Sequence, residues 1–188
     1  MIIKRWHESN KALEQYNPYH ILNYGLSWVK PQDIYALSLP LKTVRCDKKS
    51  QRLKASVIAN GWNDQYPSDL HLCRLPNGLF VVASGGNHRA YLANQLKIPL
   101  IQAYVSILLP NKFVSKGTIE SVENYSNKLN NLISKVQEIN ELESKADIRD
   151  IRSLHNEKMK YLGVIEELEG IRQHLLFTTA ESLGYMKF

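Results

Sequence analysis

Leu79-Phe80-Val81-Val82-Ala83-Ser84-Gly85-Gly86-Asn87-His88-Arg89 is the stretch whose reading decides the fold. Its first six residues are short, apolar and β-branched, and they predict a strand ending in a small polar residue. From His88 to Lys97 the residues Ala90, Ala93 and Leu96 recur at helical spacing with no breaker between them, which predicts a helix. Gly85 and Gly86 let the chain turn sharply and leave room for a ligand to approach the backbone. Asn87 suits an N-cap, and the first amides of the helix would point at whatever lies above the turn. Anions are favoured at such a terminus, and Arg89 adds a planar positive fork suited to phosphate. A tight turn beside a solvated arginine has the same spacing, so spacing alone leaves both readings open.

Working outward, Leu70-His71-Leu72-Cys73-Arg74-Leu75 alternates as a half-buried strand should, and Pro76-Asn77-Gly78 signals a hairpin into the Leu79–Ser84 strand. Ile98-Pro99 ends the helix, and Leu100 to Leu109 reads as a further strand stopped by Pro110. Before the hairpin, Asp47 is an N-cap for a helix running to Asn60 and closed by Gly61. Leu53, Val57 and Ile58 form its apolar stripe, while Lys48, Lys49, Arg52 and Lys54 make one face basic. That face is either solvated or a second wall for the anion at the turn. Trp62 to Asp69 reads as a loop, and Leu39 to Val44 as a short strand. Strand, helix, hairpin, helix, strand is the order of a small α+β domain.

The flanks have different textures. Residues 1–35 read as an aromatic-rich helical extension, with a short helix from Ser9 or Asn10 through Asn17, stopped by Pro18, and a helical turn at Pro31 to Asp33. The small domain then spans 36–112. No proline follows residue 118, and Val122, Tyr125, Leu129, Leu132, Val136 and Ile139 alternate at spacings of three and four. Ser144 to Asp147 reads as a turn, after which Ile151, Leu154, Leu162, Ile165, Leu168, Ile171 and Leu175 form a second stripe. Residues 118–188 are therefore expected to form an antiparallel, coiled-coil-like helical hairpin, packing on itself, on a protein partner or on a second copy.

Composition narrows the class without choosing a function. A net charge of +6 over 188 residues permits contact with nucleotides or nucleic acid without requiring it. Lys4, Arg5, His7 and Glu8 interrupt any apolar leader, and Tyr104 to Leu109 is too short to span a bilayer, so a cytoplasmic protein without a membrane partner is expected. Cys46 and Cys73 form no redox-like pair. His71 and Cys73 share strand alternation, but two ligands fall short of a zinc set, so no zinc is expected.

Residues 36 to 109, with the helix after Asp47, the hairpin, the Gly85-Gly86-Asn87-His88-Arg89 turn and the Ile98-Pro99 to Val105 segment, resemble the ParB/sulfiredoxin superfamily. The resemblance implies a mixed sheet-and-helix domain of that type, with His88 and Arg89 holding phosphate as they do in sulfiredoxin. It implies that Lys49, Arg52 and Ser56 on the preceding helix face the same ligand. The sulfiredoxin cysteine position is held by Asn87, and an amide cannot act as a thiolate, so sulfinic acid reduction is disfavoured. The glutamate of the ParB turn is also replaced by Asn87, its first arginine by His88 and its later arginine by Tyr91. No helix-turn-helix is readable after residue 118.

The first expectation is thus a nucleotide or other phosphate ligand bound by Gly85, Gly86, Asn87, His88, Arg89, Lys49, Arg52 and Ser56. A nucleoside triphosphate with Mg²⁺ fits this description, in a regulatory or DNA-associated protein that could be an NTPase or phosphotransferase. No catalytic acid or base is identifiable, Glu8, Glu14, Asp33 and Asp47 being carboxylates without distinguishing context. The second expectation is a non-enzymatic interaction module working through the hairpin. The third is non-specific DNA binding or cleavage by Lys48, Lys49, Arg52 and Lys54, with steep salt dependence.

Overall fold

A computed structural model describes residues 5–64 and 66–186, with the side chains of residues 148 and 149 excepted. The chain is α+β and divides into two compact units, 1–113 with 180–188, and 114–179.

The first unit is built on a six-stranded mixed sheet in the order β1-β3-β5-β4-β6-β2. Its strands are β1 (His7–Glu8), β2 (Tyr19–Val29), β3 (Ile34–Leu37), β4 (His71–Arg74), β5 (Phe80–Ser84) and β6 (Ile101–Pro110). The expected hairpin forms: β4 and β5 pair antiparallel, with Cys73 opposite Val81 and Arg74 opposite Phe80. In the connecting turn Gly78 takes a left-handed φ of 84°, and Asn77 Oδ1 accepts from the Leu79 amide at 3.1 Å. β3 runs parallel to β5, β6 parallel to β4, and β2 antiparallel to β6.

Alternation along the strands puts a core on each face of the sheet. Leu72, Val82, Ile34 and Leu37 enter a cluster with Ala90, Tyr91 and Ala93 of α4 (Asn87–Gln95) and with Val44 of α2 (Leu41–Cys46). Their neighbours Cys73, Val81 and Ala36 enter the other, with Ala12 of α1 (Ser9–Glu14). Helix α3 (Lys48–Asn60) packs on α4 and α2.

Residues 1–35 depart from the expected helical extension. The helix there ends at Glu14, and the aromatic stretch that follows is β2, an eleven-residue strand of the same sheet. Its aromatic and β-branched residues pack as strand side chains do: Tyr24 against one core, Tyr19 against the other. Leu39 to Val44 is likewise not a strand. Pro40 precedes the first turn of α2, where a proline-fixed backbone is tolerated, and only Val44 of that helix is buried. The strand expected there lies upstream, at Ile34–Leu37, after the helical turn at Pro31–Asp33.

The second unit contains all of α5 (Lys116–Glu143) and most of α6 (Ile148–Ser182). Lys158 Nζ bonds Asn140 Oδ1 at 3.3 Å and meets Glu143, while Lys135 lies 5.4 Å from the Tyr161 ring centroid. Partner numbers rise along α6 as they fall along α5, so the two helices are antiparallel. The α5 stripe is as expected, with Val122, Leu129 and Ile139 buried. On α6 the inward side is narrower than the sequence stripe. Leu154, Ile165, Leu168 and Leu175 are half-buried, whereas Ile151, Leu162 and Ile171 are exposed. A two-helix contact covers only a thin seam, so flanking apolar positions face outward.

Candidate functional site

The β5–α4 turn is fixed by steric demand. Gly85 and Gly86 both lie in the left-handed region, at φ 61° and 67°. A Cβ on Gly85 would sit 2.8 Å from the Asp69 carbonyl oxygen, and one on Gly86 2.6 Å from Leu70 Cα. The space the glycines provide is therefore filled by the chain's own Asp69–Leu70 backbone. That corrects the expectation that they leave room for a ligand.

Gly86, not Asn87, is the N-cap of α4. Asn87 is the first helical residue, and its side chain, 4% exposed, turns away from solvent. Its Oδ1 accepts from the Ser38 amide at 2.9 Å and the Leu39 amide at 3.3 Å, and its Nδ2 donates to Ser38 Oγ at 2.9 Å. Asn87 thus clamps the end of β3 to the start of α4. That clamp takes the Asn87 side chain out of the ligand set, and at the position where the resemblance puts a thiol it holds a buried amide.

His88 and Arg89 leave the helix start in different directions, and each meets a carboxylate. His88 Nε2 lies 3.2 Å from Asp47 Oδ2, off the line a hydrogen bond prefers. Asp47 also caps α3, its Oδ1 accepting from the Lys49 amide at 2.9 Å. That amide, and then the neighbouring His88 and Lys49, hold its carboxyl below the usual range. Arg89 Nη2 donates to Asp64 Oδ1 at 2.8 Å and to the Asn63 carbonyl at 3.3 Å, and its guanidinium lies 5.2 Å from the Trp62 ring centroid. Trp62 Nε1 donates to the same Asp64 Oδ1 at 2.9 Å. The Arg89 Nε is buried and finds no acceptor among the described residues.

Helix α3 therefore bridges the two. The residue before it meets His88, and the loop after it meets Arg89. Successive helical residues are about 100° apart, so Ser50, Leu53 and Val57 share the inward stripe, while Lys49, Arg52 and Ser56 share one flank. All three of the latter are exposed, and none makes a bond to the turn. Ile58, expected in the apolar stripe, is 72% exposed on the other flank. On that flank a cavity of about 290 Å³ opens between Arg45, Ser50, Gln51 and Lys54 and the α4 residues Tyr91, Leu92 and Gln95. A larger cavity, about 420 Å³, lies elsewhere, among Trp28, Lys30, Asp33, Arg74 and Phe80.

Cys73 is buried against the sheet, and burial pushes its thiol up to about 12, so it is inert as a nucleophile. His71 stacks on Tyr104 at 5.3 Å. Among the described residues no group of three or more His, Cys, Asp or Glu side chains is placed to hold a metal ion. Among them, too, no helix is long and apolar enough to cross a membrane.

The sequence pointed to the turn but not to its carboxylates. Asp47 was legible as a cap and as one of four carboxylates without distinguishing context, and Asp64 only as part of a polar loop. The missed signal is Gly61-Trp62-Asn63-Asp64: a helix-ending glycine, then an aromatic platform and an acid two residues apart. The chain matches no family model, no curated protein and no solved structure.

Proposed function

We propose that the start of α4, together with the Trp62–Asp64 loop, binds a phosphate-bearing ligand, with a nucleoside triphosphate as the leading candidate. Arg89 carries this reading. Its guanidinium is positioned by the Trp62 ring, and its Nη2 already holds one oxyanion, the Asp64 carboxylate. Two features add support. The first amides of the nine-residue α4 have no intrahelical acceptor and favour negative charge. Lys49, Arg52 and Ser56 line one flank of the helix that joins the two ends of the site. His88, beside Asp47, would serve as a hydrogen-bond donor.

The revised set is Gly86 and His88 through the backbone, Arg89 through its fork, and Lys49, Arg52 and Ser56 from α3. The Asn87 amide belongs with these backbone donors, while its side chain, held by Ser38 and Leu39, does not. Among the described residues no acidic cluster forms a ready cage, so a magnesium ion would arrive with the phosphates, and Asp47 and Asp64, which meet His88 and Arg89, would be placed to receive it. These residues support binding; none of them is aimed as a nucleophile.

The test is a thermal-unfolding series with nucleotides, with and without Mg²⁺, on the wild type and Arg89→Ala. A ligand at a hundred times its Kd stabilises the native state by about 2.7 kcal/mol, so millimolar concentrations reveal weak binding. The wild type is expected to gain stability with triphosphates, and Arg89→Ala to gain none. An unchanged ligand-induced shift in Arg89→Ala, or no shift in the wild type with any nucleotide, would overturn the reading.

A further inference from the structure

Resting on that reading, we propose that Asp64 is the resident anion of Arg89 and must be exchanged for the ligand's phosphate, so that the Trp62–Asp64 loop sets which anions the site accepts. One carboxylate oxygen, Asp64 Oδ1, sits between two donors, Arg89 Nη2 at 2.8 Å and Trp62 Nε1 at 2.9 Å. That is the position a phosphate oxygen would take. Both charged side chains are largely buried, at 16% and 15% exposed, so a second anion cannot settle on Arg89 while Asp64 remains.

The pairing is also incomplete. Arginine–carboxylate pairs are frequently bidentate, with two parallel N–H···O bonds. Here a single nitrogen, Nη2, serves both Asp64 Oδ1 and the Asn63 carbonyl, while Nε is buried and finds no acceptor among the described residues. A phosphate group has several oxygens to offer Nη2 and Nε together, which a single carboxylate oxygen does not.

The loop is built for a local exchange. Trp62 is half-buried and packs against the core of the first unit, so it is anchored, while Asp64 lies two residues further along irregular chain. Rotation of Asp64 away from Arg89 breaks the bond from Trp62 Nε1 and leaves the indole in place beside the guanidinium. A weak monoanion then gains little over the carboxylate it replaces. A polyphosphate, which also reaches the α4 amides and the α3 flank, gains several contacts at once.

The experiment is calorimetric titration of the full chain with inorganic tripolyphosphate and, separately, orthophosphate. It compares the wild type, Asp64→Asn, and Glu138→Gln as a control for net charge on an exposed α5 position. Asp64→Asn keeps an acceptor for Trp62 and removes the competing charge. It is expected to bind tripolyphosphate at least about tenfold tighter than the wild type, a difference of about 1.4 kcal/mol, and to bind orthophosphate that the wild type refuses. Glu138→Gln should change neither. In a Trp6→Phe, Trp28→Phe background, tripolyphosphate should alter Trp62 emission, and Asp64→Asn should shrink that change.

Equal or weaker binding by Asp64→Asn, with the wild type binding, overturns the exchange and leaves the phosphate site standing. An equal gain in Glu138→Gln also overturns it, because net charge would then explain the effect. Silence from both the wild type and Asp64→Asn removes the site itself. Binding by Asp64→Asn alone overturns the exchange as well, because Asp64 then blocks the site in the wild type and is not exchanged. Asp64→Ser serves the same comparison if Asp64→Asn fails to fold.

Discussion

Gly86 and Gly163 are the same residue in opposite situations. Gly86 stands at φ 67°, with the Leu70 backbone where a side chain would begin. Gly163 lies within α6, and a Cβ there would meet nothing within 4 Å. At the turn, the fold depends on the identity of single residues, because backbone, cap and clamp all meet within a few ångströms. In the hairpin it depends on a repeating pattern, and individual positions off the seam are free to vary. The contrast teaches where information about the fold is stored: in particular residues at the turn, in periodicity along the helices.

The sharpest break of that comparison is Gly86→Ala. It combines a left-handed residue bearing a Cβ with overpacking against Leu70, and a loss of about 3–4 kcal/mol in urea unfolding is expected. A loss below ~1 kcal/mol would mean that the turn yields as easily as the hairpin. Next comes Asn87→Ala, which leaves the Ser38 and Leu39 amides without their acceptor. The expected cost is about 1–3 kcal/mol, the usual penalty for an unsatisfied buried group. If Asn87→Ala instead matched the wild type, the clamp would be dispensable and the Asn87 side chain would return to consideration as a ligand group. The smallest effect has the other sign. Gly163→Ala should stabilise the chain by up to ~1 kcal/mol, since alanine is the better helix former. Destabilisation by that change would show that the helix surface around 163 carries a contact of its own.

Much of this was legible in the sequence. Asp47 as a cap, the Pro76-Asn77-Gly78 hairpin, the strand into Gly85 and the α5 stripe are all signals carried by neighbouring residues, and each forms where its pattern puts it. What was not legible depended on distant partners. Tyr19 to Val29 becomes a strand because β6 pairs with it about eighty residues later. Asn87 looks like a cap because its local chemistry suits one; the amides that claim it, Ser38 and Leu39, are 49 and 48 residues away. Arg89 and Asp64 are 25 apart, with a helix terminus on one side and a loop on the other. Thr43 and Val44 carry strand propensity, yet the preceding Pro40 and the single inward position at Val44 make the segment helical.

The path of the chain has a practical consequence for its engineering. It leaves the first unit after residue 113 and rejoins it at 180, and in the returning segment the Tyr185 carbonyl accepts from Arg74 of β4 at 2.6 Å. The hairpin is thus an excursion with both ends tethered, not a tail. Cutting the chain at 118 would strip residues 180–186 from the unit that carries the turn and remove the Tyr185 carbonyl from Arg74. A shortened protein should instead join 113 to 180 through a flexible linker. Conversely, adding matched helical turns on both sides of Ser144–Asp147 would lengthen the helical hairpin by about 5.4 Å per turn without touching residues 113 or 180.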